Sequence, residues 1–149
     1  MTIGSPIFSK TSLELLAIFP LKLRKISLIC TFGRSQLNEI TFGHIREVFQ
    51  SQADTLEEIV LKNVGISKVG GILKTILTKC KKLSILRTEM ILLSNDCETC
   101  KSTGIKEIHS GGGFLSSETM KMILAKCPEL EVLHAPNLNL LMGVNVSFI

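Results

Sequence analysis

LRKISL at residues 23–28 returns as LEEIVL at 56–61, LSILRT at 83–88, IKEIHS at 105–110 and LEVLHA at 130–135. Each version opens on an apolar residue, continues with two variable ones, and sets another apolar residue in the fourth place. The opening residues Leu23, Leu56, Leu83, Ile105 and Leu130 stand 33, 27, 22 and 25 residues apart. The first and fourth residues of each phrase are expected to point into a core, and alternation along a strand sends the residues on either side of the fourth to the opposite face. One unit of this size cannot bury its own apolar face, so stability comes from stacking neighbours.

Between the phrases the apolar residues recur with helical spacing. Leu13, Leu16, Ala17 and Phe19 mark one helix face before the first phrase, and Leu37, Ile40, His44, Ile45, Val48 and Phe49 a second. Ile72, Leu73, Ile76, Leu77 and Cys80 mark a third, and Met120, Ile123, Leu124 and Cys127 a fourth. Ser116 or Ser117 suits the cap of that last helix. Residues 94–103 are short and polar, and one or two irregular helical turns are expected there. Helix then strand, repeated, makes every strand parallel, because parallel neighbours need a crossover and the helix supplies it. The pattern predicts an α/β chain of about five helix–strand units whose strand order follows sequence order.

Units of roughly 20–29 residues with an L-x-x-L-x-L core are those of a leucine-rich repeat solenoid. Two units carry a narrower pattern, ISKVGGILKTILTKCKKLSILRT from Ile66 and LSSETMKMILAKCPELEVLHAP from Leu115. Each sets a cysteine three residues before the strand leucine (Cys80 before Leu83, Cys127 before Leu130) and a small hydroxyl residue, Ser67 or Ser116, at the helix start. This resembles the cysteine-containing subfamily of leucine-rich repeats in the substrate-receptor half of F-box ubiquitin-ligase subunits. The likeness runs from about Leu13 to Pro136; ribonuclease-inhibitor-like arrays and the repeat regions of innate immune receptors share it. It implies helices on a convex side, a concave sheet that binds a protein, and an adaptor or substrate-receptor role. Ahead of Leu23 only SLELLAIFPL, residues 12–21, is similar to the start of an F-box, and it is read as a first capping helix. The chain is expected to be one domain, 1–149, with residues 1–22 as an N-terminal cap. Residues 137–149, NLNLLMGVNVSFI, are expected to form an irregular C-terminal cap or a truncated repeat.

Composition narrows the function. No apolar run reaches the roughly 18–20 residues of a membrane span, and the start lacks the pattern of a signal peptide. The five cysteines, an odd number, are then expected to be reduced thiols of a cytoplasmic protein. Net charge is +4, without a block of five basic residues, and there is no Trp or Tyr to stack on bases, so neither membrane nor nucleic acid is expected as a partner. Lys79, Lys81 and Lys82 lie at a helix end, where cations complement the carbonyl dipole.

The binding residues follow from the alternation. The fifth place of the phrase faces away from the core and holds Ser27, Val60, Arg87, His109 and His134; the third holds Lys25, Glu58, Ile85, Glu107 and Val132. Neighbouring strands lie about 4.8 Å apart, so Arg87, His109 and His134 are expected in one row. With Ile85, Glu107 and Val132 they form the expected contact patch for a protein partner. The rival reading is a small metal-binding or redox protein using Cys97, Cys100, His109 and His134. A single C-x-x-C is a weak zinc signal beside a paired one. No Ser–His–Asp set or phosphate loop is recognisable, and Gly111, Gly112 and Gly113 read as a tight turn rather than a dinucleotide fingerprint. The expectation is a protein-interaction module, not an enzyme, with no cofactor and no small-molecule substrate.

Overall fold

Each phrase ends in a strand and each apolar stripe in a helix in the computed structural model, which describes residues 2–4, 10–19, 21–29, 39–62, 66–89, 104–111 and 117–135. In chain order these form β1 (Thr2–Gly4), α1 (Lys10–Ile18), β2 (Lys25–Ile29), α2 (Glu39–Ser51) and β3 (Glu58–Lys62). There follow α3 (Ile66–Lys79), β4 (Ile85–Thr88), β5 (Glu107–Ser110), α4 (Ser117–Lys126) and β6 (Val132–His134). The strands make one parallel sheet in the order β1-β2-β3-β4-β5-β6. The α/β class, the parallel pairing and the sequential order are therefore those the phrase spacing predicts. β1 is an addition inside the stretch read as a cap: it pairs with β2, Ile3 opposite Leu28.

The backbone joins neighbouring phrases in the same way at four successive junctions. The carbonyl of the second phrase residue accepts the N–H groups of the second and third residues of the next phrase. Arg24 O accepts from Glu57 and Glu58 at 2.8 and 3.0 Å, and Glu57 O from Ser84 and Ile85 at 2.9 and 3.0 Å. Ser84 O accepts from Lys106 and Glu107, both at 2.9 Å, and Lys106 O from Glu131 and Val132 at 2.8 and 2.9 Å. The register that follows sets Ile26, Ile59, Leu86, Ile108 and Leu133 side by side.

Those fourth-place residues meet the helices. Leu13 and Leu16 of α1, Phe42, Ile45, Val48 and Phe49 of α2, Ile72, Leu73 and Ile76 of α3, and Ile123 of α4 form one core with Ile26, Ile59, Leu86 and Ile108. Val60, one place further along β3, is only 8% exposed yet lies outside that core, which marks the second face of the sheet. The cysteines before the strand leucines act as small packing residues. Cys80 and Cys127 are buried, reduced thiols, and in both turns the cysteine carbonyl accepts the leucine N–H, Leu83 at 3.2 Å and Leu130 at 3.1 Å. Burial pushes the Cys80 thiol up to about 12, with the Asp54 charge adding to it.

A second connection ties the first two phrases. Gln52, buried just after α2, accepts the Leu23 N–H with its Oε1 at 3.1 Å and donates through Nε2 to Phe19 O at 3.2 Å. Thr55 donates from Oγ1 to Leu23 O at 2.9 Å. Between those anchors Lys22 adopts φ 41°, the left-handed conformation that side chains disfavour.

Several burial expectations need correction. Leu83 and Leu86 are buried, but Leu130 and Leu133 are only half-buried, because β6 has a strand on one side only among the described residues. Phe19 and Leu124 are exposed rather than on the core stripe: Phe19 lies just past the end of α1, and among the described residues α4 has no packed helix neighbour such as α1 and α3 have in α2. α3 starts at Ile66, so Ser67 is its second residue rather than its opener. Leu37, the Ser116 cap, residues 94–103, Cys30 and residues 137–149 lie outside the described residues.

Candidate functional site

The face of the sheet without helices, among the described residues, carries the third- and fifth-place side chains. Strand alternation puts them there, and the register aligns them: Ser27, Val60, Arg87, His109 and His134 form one row, and Lys25, Glu58, Ile85, Glu107 and Val132 the next. The three residues expected in a line, Arg87, His109 and His134, are thus direct neighbours on β4, β5 and β6. The rings of His109 and His134 lie 6.0 Å apart between centroids and tilted by 38°.

Charged groups on this face pair across and along strands. Lys25 Nζ lies 2.8 Å from Glu58 Oε2, and Arg87 donates through Nε to Glu58 Oε1 at 3.2 Å. The Lys25 ammonium holds the Glu58 carboxyl below the usual carboxylate range; partial burial opposes it and Arg87 adds to it. His109 Nε2 lies 3.0 Å from Glu107 Oε2. Ile85 and Val132 are half-buried apolar residues between these charges.

At the carboxyl ends of β3 to β6 the face sinks into a depression of about 140 Å³. Its lining includes Val60, Arg87, His109 and His134, and also Lys62, Glu89 and Gly111, which the phrase-based reading passed over. The missing signal was there to use. Continuing the alternation two residues beyond the fifth place reaches Ile29, Lys62, Glu89 and Gly111, a third row on the same face, with Ile29 and Lys62 in register. Gly111 extends the ladder, donating its N–H to Thr88 O at 2.8 Å, and brings no side chain to the lining.

Of the groups of the rival metal reading, the described residues include His109 and His134 alone. His109 and His134 are neighbours, Cys97 and Cys100 lie outside the described residues, and no set of three His, Cys, Asp or Glu residues placed to hold a metal occurs among the described ones. His44 is remote from this face, half-buried with its Nδ1 3.1 Å from Glu47 Oε2 on α2 and its Nε2 3.8 Å from Glu14 Oε1 on α1. No described helix is long and apolar enough to cross a membrane. No family model, curated protein or solved structure matches the chain.

Proposed function

We propose that this chain is a leucine-rich repeat solenoid that recognises a protein partner across the helix-free, concave face of its sheet. The observation that supports it is the register: a recurring phrase brings Arg87, His109 and His134 into one row beside Ile85, Glu107 and Val132. A surface built on strands is preorganised, so little ordering opposes binding, and a few anchors then carry most of the affinity. Arg87 is the leading anchor, since arginine is enriched among energetically dominant contacts. The repeat pattern with Cys80 and Cys127 suggests the setting of an adaptor or a ubiquitin-ligase substrate receptor, in which the face holds a protein for other subunits to act upon.

The test is partner capture with Arg87, His109 and His134 all replaced by Ala, set against Lys74→Ala on the exposed side of α3. Recovery is expected to fall in the triple variant and to hold in the control, with both folded. Equal recovery from triple variant and wild type rules out this row as the binding surface.

A further inference from the structure

The depression at the carboxyl ends of β3 to β6 narrows the chemistry of the partner. Its volume, about 140 Å³, is close to the roughly 150 Å³ that accommodates a single benzene ring. It is well below the ~300–1,000 Å³ of clefts that enclose whole small molecules. Its exposed lining is almost wholly carbon, with Val60 at 8% exposure contributing to it. The space therefore suits one apolar side chain.

The groups around it are cationic and partly unused. Lys62 is exposed at the end of β3 and has no ion pair among the described residues. Arg87 bonds to Glu58 through Nε alone, so its terminal N–H groups have no partner among them either. The fixed charges of the lining are thus Lys62 and Arg87 against Glu89. The nearby carboxylates are already engaged, Glu58 with Lys25 and Arg87, Glu107 with His109. From β3 to β6 is three strand spacings, about 14 Å, the reach of about four extended residues.

We infer that this depression seats one apolar side chain of an extended acidic segment of the partner, whose flanking carboxylates take the free N–H groups of Arg87 and the Lys62 ammonium. Two features favour a peptide over a nucleic acid, the other polyanion: the space fits a side chain, and the chain has no Trp or Tyr on which bases stack. The inference rests on the helix-free face being the contact surface.

The experiment is selection from displayed eight-residue peptides with Leu, Ile, Met or Phe at a central position and acidic, neutral or basic flanks. The proteins compared are wild type, Lys62→Gln, the Lys62→Gln/Arg87→Gln pair and the Arg87, His109, His134 to Ala triple. Wild type should enrich acidic flanks. A selected peptide remade synthetically should lose about tenfold in affinity on central replacement by Ser, and about tenfold again on the paired variant, as charge-assisted hydrogen bonds are lost. Lys62→Gln alone removes an exposed, unpaired ammonium, so a drop in its binding is independent of any folding defect in the pair. Selection of neutral or basic flanks that still depend on the triple row overturns the acidic assignment and spares the face. Acidic peptides that bind the paired and triple variants like wild type overturn both. Absence of any enrichment overturns the inference, as does an oligouridylate that displaces the peptides and itself requires Lys62 and Arg87.

Discussion

The same five strands show two different surfaces. On the helix-bearing face the fourth-place residues are Ile26, Ile59, Leu86, Ile108 and Leu133, aliphatic without exception; one residue along, on the other face, are Ser27, Val60, Arg87, His109 and His134. A core accepts little variety, because each side chain must fill the space its neighbours leave. The second face is less uniformly packed, Ser27 and Val60 buried but Arg87, His109 and His134 at least partly open to solvent, so its variety from strand to strand is available for recognition. Leu86 and Arg87, adjacent in sequence, belong to different problems.

That contrast can be broken most forcefully at this pair. Leu86→Ala removes a side chain 2% exposed and should cost about 2–5 kcal/mol, read from urea unfolding. Arg87→Ala should shift stability by less than about 1 kcal/mol, as its pair with Glu58 is only partly buried and screened by solvent. Comparable costs would mean that the two faces are not energetically distinct. Within the core, the comparison sharpens between equivalent places. Leu83→Ala should destabilise more than Leu130→Ala, since Leu83 is fully buried between neighbouring phrases and Leu130 only half-buried near β6. An equal pair of midpoints would show that Leu130 is as well packed as Leu83.

Chemical reactivity gives a finer separation. A thiol pushed up to about 12 holds almost no thiolate at pH 8, so Cys80 should react with a thiol reagent only as fast as the layer around it opens. Labelling of Cys80 as rapid as that of a free peptide thiol would contradict its burial. The smallest effect is expected from Glu58 on the other face. Its folded carboxyl lies below the unfolded value, so its contribution is complete above about pH 4.3 and is lost as pH falls through the folded value. Glu58→Gln should therefore lower stability slightly at neutral pH and flatten its decline on acidification, measured by thermal midpoints between pH 7 and 3. An unchanged acid limb would show that Lys25 and Arg87 do not hold this carboxylate.

The strand positions and their register were legible because two independent periods agree, the alternation within a phrase and the recurrence of the phrase itself. β1 was not, since TIG is too short to carry an alternation. Half-burial of Leu130 and Leu133 depends on what lies beside β6, which the phrase does not encode. The Gln52 and Thr55 connection escaped notice for another reason. A polar side chain 29 or more residues from its backbone partner follows no period, and nothing in its neighbours announces the bond. On the candidate site, the row of Arg87, His109 and His134 was readable from alternation alone. Lys62, Glu89 and Gly111 fall one place past the end of the six-residue phrase, where no apolar residue recurs to mark them.

The shared carbonyls of Arg24, Glu57, Ser84 and Lys106 have a bearing on how such a surface changes. Since the same backbone acceptor locks each unit to the next, the spacing along the row is independent of the letters written on it. A substitution at Val60, Arg87 or His109 alters the message at one position while the neighbouring positions keep their pitch of about 4.8 Å. The molecule is in that sense a ruler with exchangeable markings, and new specificities are reachable one mark at a time.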